Sequence, residues 1–254
     1  MNPIEIISKL RSIARPILET AGEKESFPVR FTFRLVLERL EINLSSLGIL
    51  VESDLLRHNH SIGLICRNIL SDMITTGYLI KLSTSEENLY ERLYSLYHSD
   101  LKRTDSLIRL YQEADVLSAE EALAYREKHA MPNTMYRAIR EYVEEYKPNP
   151  FPGTTLAIKQ LLALKKNDAW TIELKHSFDI WTFYSKYEHL GWYAFEWTRP
   201  LERTKVELRL KSVLRLAALL QSSCLEMLDK KEALSESMAL YGELYTDTIK
   251  AFAE

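Results

Sequence analysis

Apolar residues recur three and four positions apart along almost the whole chain, the spacing that puts them on one face of an α-helix. Breaks in this pattern, together with capping residues, predict about eight to ten helices. The first covers roughly 3–21 and ends near Gly22, and the second about 29–52. The third, about 54–82, is apolar nearly all round, which predicts a central position. Thr84 with Glu87 has capping-box spacing and opens a fourth helix to about 115, striped by Leu89, Leu93, Leu96, Leu101, Ile108 and Tyr111. Ser118 with Glu121 caps a fifth, to about 129, and MPN at 131–133 separates it from a sixth, to about 147. A seventh spans about 154–166 and an eighth about 170–198. Pro200 suits the first turn of a ninth, to about 230, because its missing N–H costs nothing there. A last helix covers about 233–252.

Composition supports the same class. Only 7 glycines and 8 prolines stand among 254 residues, too few for the frequent turns of a sheet protein. The densest breaker, KPNPFPG at 147–153, is either a domain boundary or an external loop between helices, and the loop is preferred because the roughly 100 residues that follow look like the other half of a helical bundle. The expectation is one all-α domain over 1–254: N-terminal helices (1–53) packed on a core of about 55–220, with a C-terminal helix over 232–254. A net charge of −3 provides no global field for nucleic acid or an anionic membrane. No apolar run reaches the ~20 residues of a membrane span, and MNPIEIISKLRSIARPILE is too charged for a signal peptide. A cytoplasmic location is therefore expected. Cys66 and Cys224 stand singly in apolar runs, which argues against a disulfide framework or a zinc knuckle.

Candidate chemistry concentrates in DIWTFYSKYEHLGWYAFEWTR, 179–199, where aromatic residues and polar groups interleave. At about 100° per residue, Thr182, Ser185, His189, Trp192, Tyr193 and Glu196 fall within about 60° of His189. The third helix offers a matching stripe, with His60, Ser71 and Tyr78 on the face of Arg67. An arginine inside a bundle needs an acceptor, and Glu188, Glu196 and Asp72 are the candidates. Two readings follow. In one, Arg67, Ser185 and His189 form a structural network that fixes helix register. In the other, the guanidinium and imidazole line a cleft and bind a phosphate or carboxylate, which suits arginine geometry.

The segments ICRNILSDMITTGYLIKL (65–82) and FYSKYEHLGWYAF (183–195) resemble the HEPN-like helical superfamily, in particular a bacterial branch with an Arg on one helix and Ser-x-x-x-His on a later one. The helix YERLYSLYHSDLKR (90–103) resembles that branch's aromatic-rich connecting helix, and the likeness spans roughly 55–220. It implies that Arg67 takes the place of the arginine, and Ser185 and His189 that of the second motif. Members of the branch often carry Glu one turn after the arginine, where Ser71 stands here. The resemblance also implies a HEPN-like core, a homodimer, and a role in bacterial stress or phage defence. Many HEPN proteins are ribonucleases with Arg, four to six residues, then His on a late helix; no Arg precedes His189 at that spacing. Arg92 and His98 have the spacing on a different helix, at a frequency chance alone supplies.

No phosphate-binding glycine loop or His-Glu-x-x-His is present, nor the two Glu-x-x-His motifs on facing helices that a diiron site needs. His58 and His60 point to opposite sides of a helix and share no metal, so neither metal nor cofactor is expected. The basic cluster Arg199, Arg203, Lys205, Arg209, Lys211 and Arg215 spreads around its helix and reads as a solvated surface. The function expected is a soluble binding or interaction protein rather than an enzyme. The alternatives are an enzyme acting on a nucleotide, RNA or other phosphate-bearing substrate between the third and eighth helices, and a purely structural dimeric partner. With 14 tyrosines and 4 tryptophans available for an interface, a homodimer is expected.

Overall fold

The computed structural model describes residues 1–20, 28–129, 133–164, 169–188 and 202–253. Among them the regular structure is entirely helical, as the pattern predicts. The helices are α1 (Pro3–Glu19), α2 (Val29–Asp54), α3 (Asn59–Lys81), α4 (Glu86–Glu113), α5 (Ala119–His129), α6 (Asn133–Tyr146), α7 (Thr154–Leu162), α8 (Ala169–Tyr184), α9 (Arg203–Met227) and α10 (Lys231–Ala253). A short 3-10 turn, Ser185–Glu188, follows α8.

Local signals set the helix ends. Asn2 and Glu5 form a reciprocal capping box at α1, each side chain bonding the other's backbone N–H at 2.9 Å. Ser118 and Glu121 do the same at α5, as predicted. At α4 the cap is Ser85, not Thr84: its hydroxyl accepts the Asn88 N–H at 3.2 Å, so the helix begins one residue later than the Thr84 box requires. With so few glycines, left-handed residues at three helix ends are Asp115, Lys147 and Asp229, at φ of 55°, 44° and 58°. After Asp115 and Asp229 the next N–H reaches back to Tyr111 or Leu225 at 2.9 Å, closing the carbonyls of the last turn.

The chain forms two compact units. One contains α1, α2, α3 and α7 to α10, and the other contains α4, α5 and α6. In the first unit α3 packs on α7, α8 and α9, as its all-round apolar pattern predicts. The innermost helix is nevertheless α9, which packs on α1, α3, α8 and α10 and is buried without interruption from Ser212 to Leu225. The uncharged polar residues of that buried stretch are satisfied internally. Gln221 donates to the Leu10 carbonyl at 2.8 Å, Ser222 donates to Ser237 at 2.9 Å, and Ser237 donates to Gln221 at 3.1 Å, tying α9 to α1 and α10. In the second unit α4 packs on α5 and α6, with Tyr94 stacked on Tyr142 at 4.2 Å. The segment 147–153 is non-helical, as its prolines predict, and the Phe151 N–H donates to Ser99 on α4.

Candidate functional site

The arginine of the third helix does meet the eighth. Arg67, half-buried on α3, lays its guanidinium 5.7 Å from the centroid of the Trp181 ring on α8. One turn along α3, Ser71 accepts the Trp181 indole N–H at 3.0 Å. A hydroxyl at position 71 is short enough to accept that N–H, and so Arg67 and Ser71 hold one indole between its face and its edge. Burial pushes the Arg67 guanidinium below its ordinary pKa.

A second arginine flanks the same turn of α8. The Arg209 guanidinium, from α9, lies 4.0 Å from the centroid of the Phe183 ring. Its Nη1 is buried and makes no hydrogen bond among the described residues. Trp181 and Phe183 are two residues apart, about 200° round the helix, so they project to different sides of α8. Both belong to its last turn, where the partial negative charge of the helix end favours cations.

The other expected site residues fall only in part among the described ones. Ser185 stands at the start of the 3-10 turn and donates to the Thr182 carbonyl at 2.7 Å, which closes the end of α8. The eighth helix was expected to continue to about 198; α8 gives way to a 3-10 turn at Ser185–Glu188, and 189–198 lie outside the described residues. His189 and Glu196 lie outside the described residues, as does the Glu188 side chain. Tyr78 is buried on α3, while His60 is exposed at its first turn. Asp72, a candidate acceptor for Arg67, pairs instead with Arg39 of α2 at 3.1 Å. Burial raises the Asp72 carboxyl to about 6, against the smaller opposing effect of the Arg39 charge.

The expectation that the basic cluster of α9 is a solvated surface holds for its first turns and fails further along. Arg203 pairs with Glu207 at 2.8 Å and Lys205 with Glu202 at 3.3 Å, both on the surface. Arg215, by contrast, is buried and pairs with the fully buried Glu173 of α8 at 3.0 Å. The Arg215 guanidinium also lies 5.7 Å from the Tyr245 ring of α10. The Tyr241 phenol beside this pair is raised, first by burial and then by the Glu173 charge. Arg215 is where it is because the apolar run VLRLAALL winds α9 through the middle of the unit, leaving the charge no path to solvent. The cysteines are inert: Cys66 is fully buried and its thiol is pushed up to about 12 by burial, and burial raises Cys224 as well.

Of the residues that build this site, Trp181, Phe183 and Glu173 were not singled out by spacing, and Arg209 and Arg215 were assigned to a surface. A signal existed for Arg215, the lone charge of the apolar run SVLRLAALL, but not for Glu173, which Lys175, His176 and Asp179 follow. Among the described residues no group of three or more His, Cys, Asp or Glu side chains is placed to hold a metal. No helix among them is long and apolar enough to cross a membrane. No protein-family model matches the chain, and no curated protein or solved structure matches it.

Proposed function

We propose that this chain is a non-catalytic helical binding module that receives acidic groups of a protein partner on two sides of the last turn of α8, one at Arg67 and one at Arg209. The observation that carries the reading is Arg209, stacked at 4.0 Å on Phe183 with its buried Nη1 making no hydrogen bond among the described residues. Arginine N–H groups donate to a carboxylate in bidentate fashion, and a buried guanidinium nitrogen without a hydrogen bond gains most from such an acceptor. Arg, Trp and other aromatic residues are also the side chains that concentrate binding energy at protein interfaces. The HEPN-like resemblance supports the same two helices, α3 and α8, as the site, and with it a cytoplasmic role in bacterial stress or phage defence. Calorimetric titration of the full chain with a hexaglutamate peptide tests the reading. Saturable binding that weakens at least tenfold in Arg67→Ala and in Arg209→Ala, with both variants still folded, is the expected result. Absence of binding, or binding indifferent to both changes, overturns it.

A second reading, pairing of two copies, is favoured by α2. Leu35, Ile42 and Ile49 stand seven residues apart on one line of this helix and are 42%, 57% and 68% exposed, opposite its buried face. Light scattering should give twice the 29.6 kDa chain mass, and Ile42→Glu should give the monomer. A parent protein that stays monomeric at high micromolar concentration contradicts this pairing.

A further inference from the structure

The second unit holds a cleft of about 570 Å³ between α4 and α6 that is separate from the α8 site. Its size lies within the range of pockets that take small organic ligands, roughly 300–1,000 Å³. On α4, His98, Lys102 and Arg109 fall four and seven residues apart and so share one face. Across from them α6 presents Arg140. The floor is apolar, made by Leu101, the fully buried Ile139 and Val143, while Lys102, Arg109 and Arg140 are exposed at the rim.

The opposing charges do not cancel. Asp105 and Glu144 are the acidic residues of the lining, and Glu144 pairs with Arg140 at 3.3 Å on the same helix. Three cationic side chains against two acidic ones leave one positive charge with His98 neutral, and two with it protonated. Lys102 and Arg109 make no ion pair among the described residues. Burial and then the nearby Lys102 charge lower the His98 pKa. A dianion entering the cleft would meet Lys102 and Arg109 and would bring a proton onto His98.

We propose that the cleft between α4 and α6 binds a phosphate monoester, with its phosphate held by Lys102, Arg109 and His98 and its organic body resting on Leu101, Ile139 and Val143. Arginine and imidazolium donate to phosphate oxygens as charge-assisted hydrogen bonds, and a phosphate monoester supplies the two negative charges that the protonated cleft balances. The apolar floor distinguishes such a ligand from inorganic phosphate, which reaches only the rim.

The test titrates the full chain with phenyl phosphate while following the His98 ring resonances by NMR, and repeats the titration with inorganic phosphate and with phenylacetate. The expected result is a saturable shift of the His98 signal, with phenyl phosphate binding at least tenfold more tightly than either comparison compound. The Lys102→Ala, Arg109→Ala double variant should bind at least tenfold more weakly than the parent, and Arg57→Ala, exposed and outside the cleft, should bind as the parent does. Circular dichroism of the double variant establishes that it is folded, and if it is not, His98→Gln and Val143→Thr take its place with the same expectation. An unmoved His98 signal, equal binding of phenylacetate, or undiminished binding by the folded variants overturns the proposal. Because His98 reports on this cleft alone, failure here is distinct from failure at the α8 site.

Discussion

Arg215 and Glu173 show how a single pair of charges can be structural without being visible as such on a helical wheel. Each is surrounded by apolar neighbours, and together they are buried at 3.0 Å between α8 and α9. Removing one leaves the other charged and unpaired in the interior. Arg215→Leu or Glu173→Leu alone should therefore cost roughly 3–5 kcal/mol in urea denaturation, whereas the double change to leucine should recover most of the loss. Equal destabilisation by the single and double variants would mean that packing, not charge, is what the pair contributes. Asp72 provides a second test at this scale. Its carboxyl titrates near 6 in the folded protein against an ordinary 3.8, so the folded state binds the proton more tightly than the unfolded one. Its contribution is therefore most favourable below about pH 4, declines as pH rises to about 6, and is level above that. Measured against Asp72→Asn, the parent should lose roughly 3 kcal/mol of relative stability across that window; a parallel pair of pH profiles would contradict the assignment.

At the scale of the helices, much was legible because periodicity and capping chemistry are local. The limits of α1, α2, α5 and α6 follow within a few residues from apolar spacing, from Ser118 with Glu121, and from the MPN break. The end of α8 was not legible, since FYSKYEHLGWYAF keeps an apolar pattern past Tyr184 and contains no residue that forces a 3-10 turn at Ser185. Nor does a wheel distinguish which of several aromatic residues on α8 an arginine will choose. Close helix packing depends on a residue that periodicity passes over, Gly77 of α3. A methyl group there would meet the Trp170 ring at 2.7 and 2.9 Å and Leu174 at 3.0 Å. The Trp170 ring is held by its own bond to Ser223 at 3.1 Å and cannot easily move away. Gly77→Ala should therefore destabilise the protein by about 1–3 kcal/mol, although in an open helix the same change gains up to about 1 kcal/mol. A thermal melt that rises in Gly77→Ala would show that α3 and α8 are less closely packed than this.

For the whole molecule, class was the most legible property and function the least. Scarce Gly and Pro and long helical stripes lead to an all-helical chain because they exclude sheet turns throughout. The grouping of α4, α5 and α6 into a unit of their own is signalled at one end only: KPNPFPG at 147–153, preferred as a loop within one domain, closes the unit at Gly153, whereas the junction after Lys81 carries no proline or glycine run. The order of burial is likewise a property of the assembled unit: α3 has the more uniform apolar pattern, yet α9 lies deeper because four helices pack around it. The proposed function depends on where two arginines lie relative to one helix end, which is why spacing alone led to Arg67 and stopped short of Arg209. Its most direct test is the indole N–H signal of Trp181 in an NMR titration with hexaglutamate, assigned by Trp181→Phe. An acidic group received at Arg67 should shift that signal saturably and leave the signal of Trp170, bonded to Ser223, in place. A Trp181 signal that does not move, or one that moves only together with that of Trp170, would contradict the account.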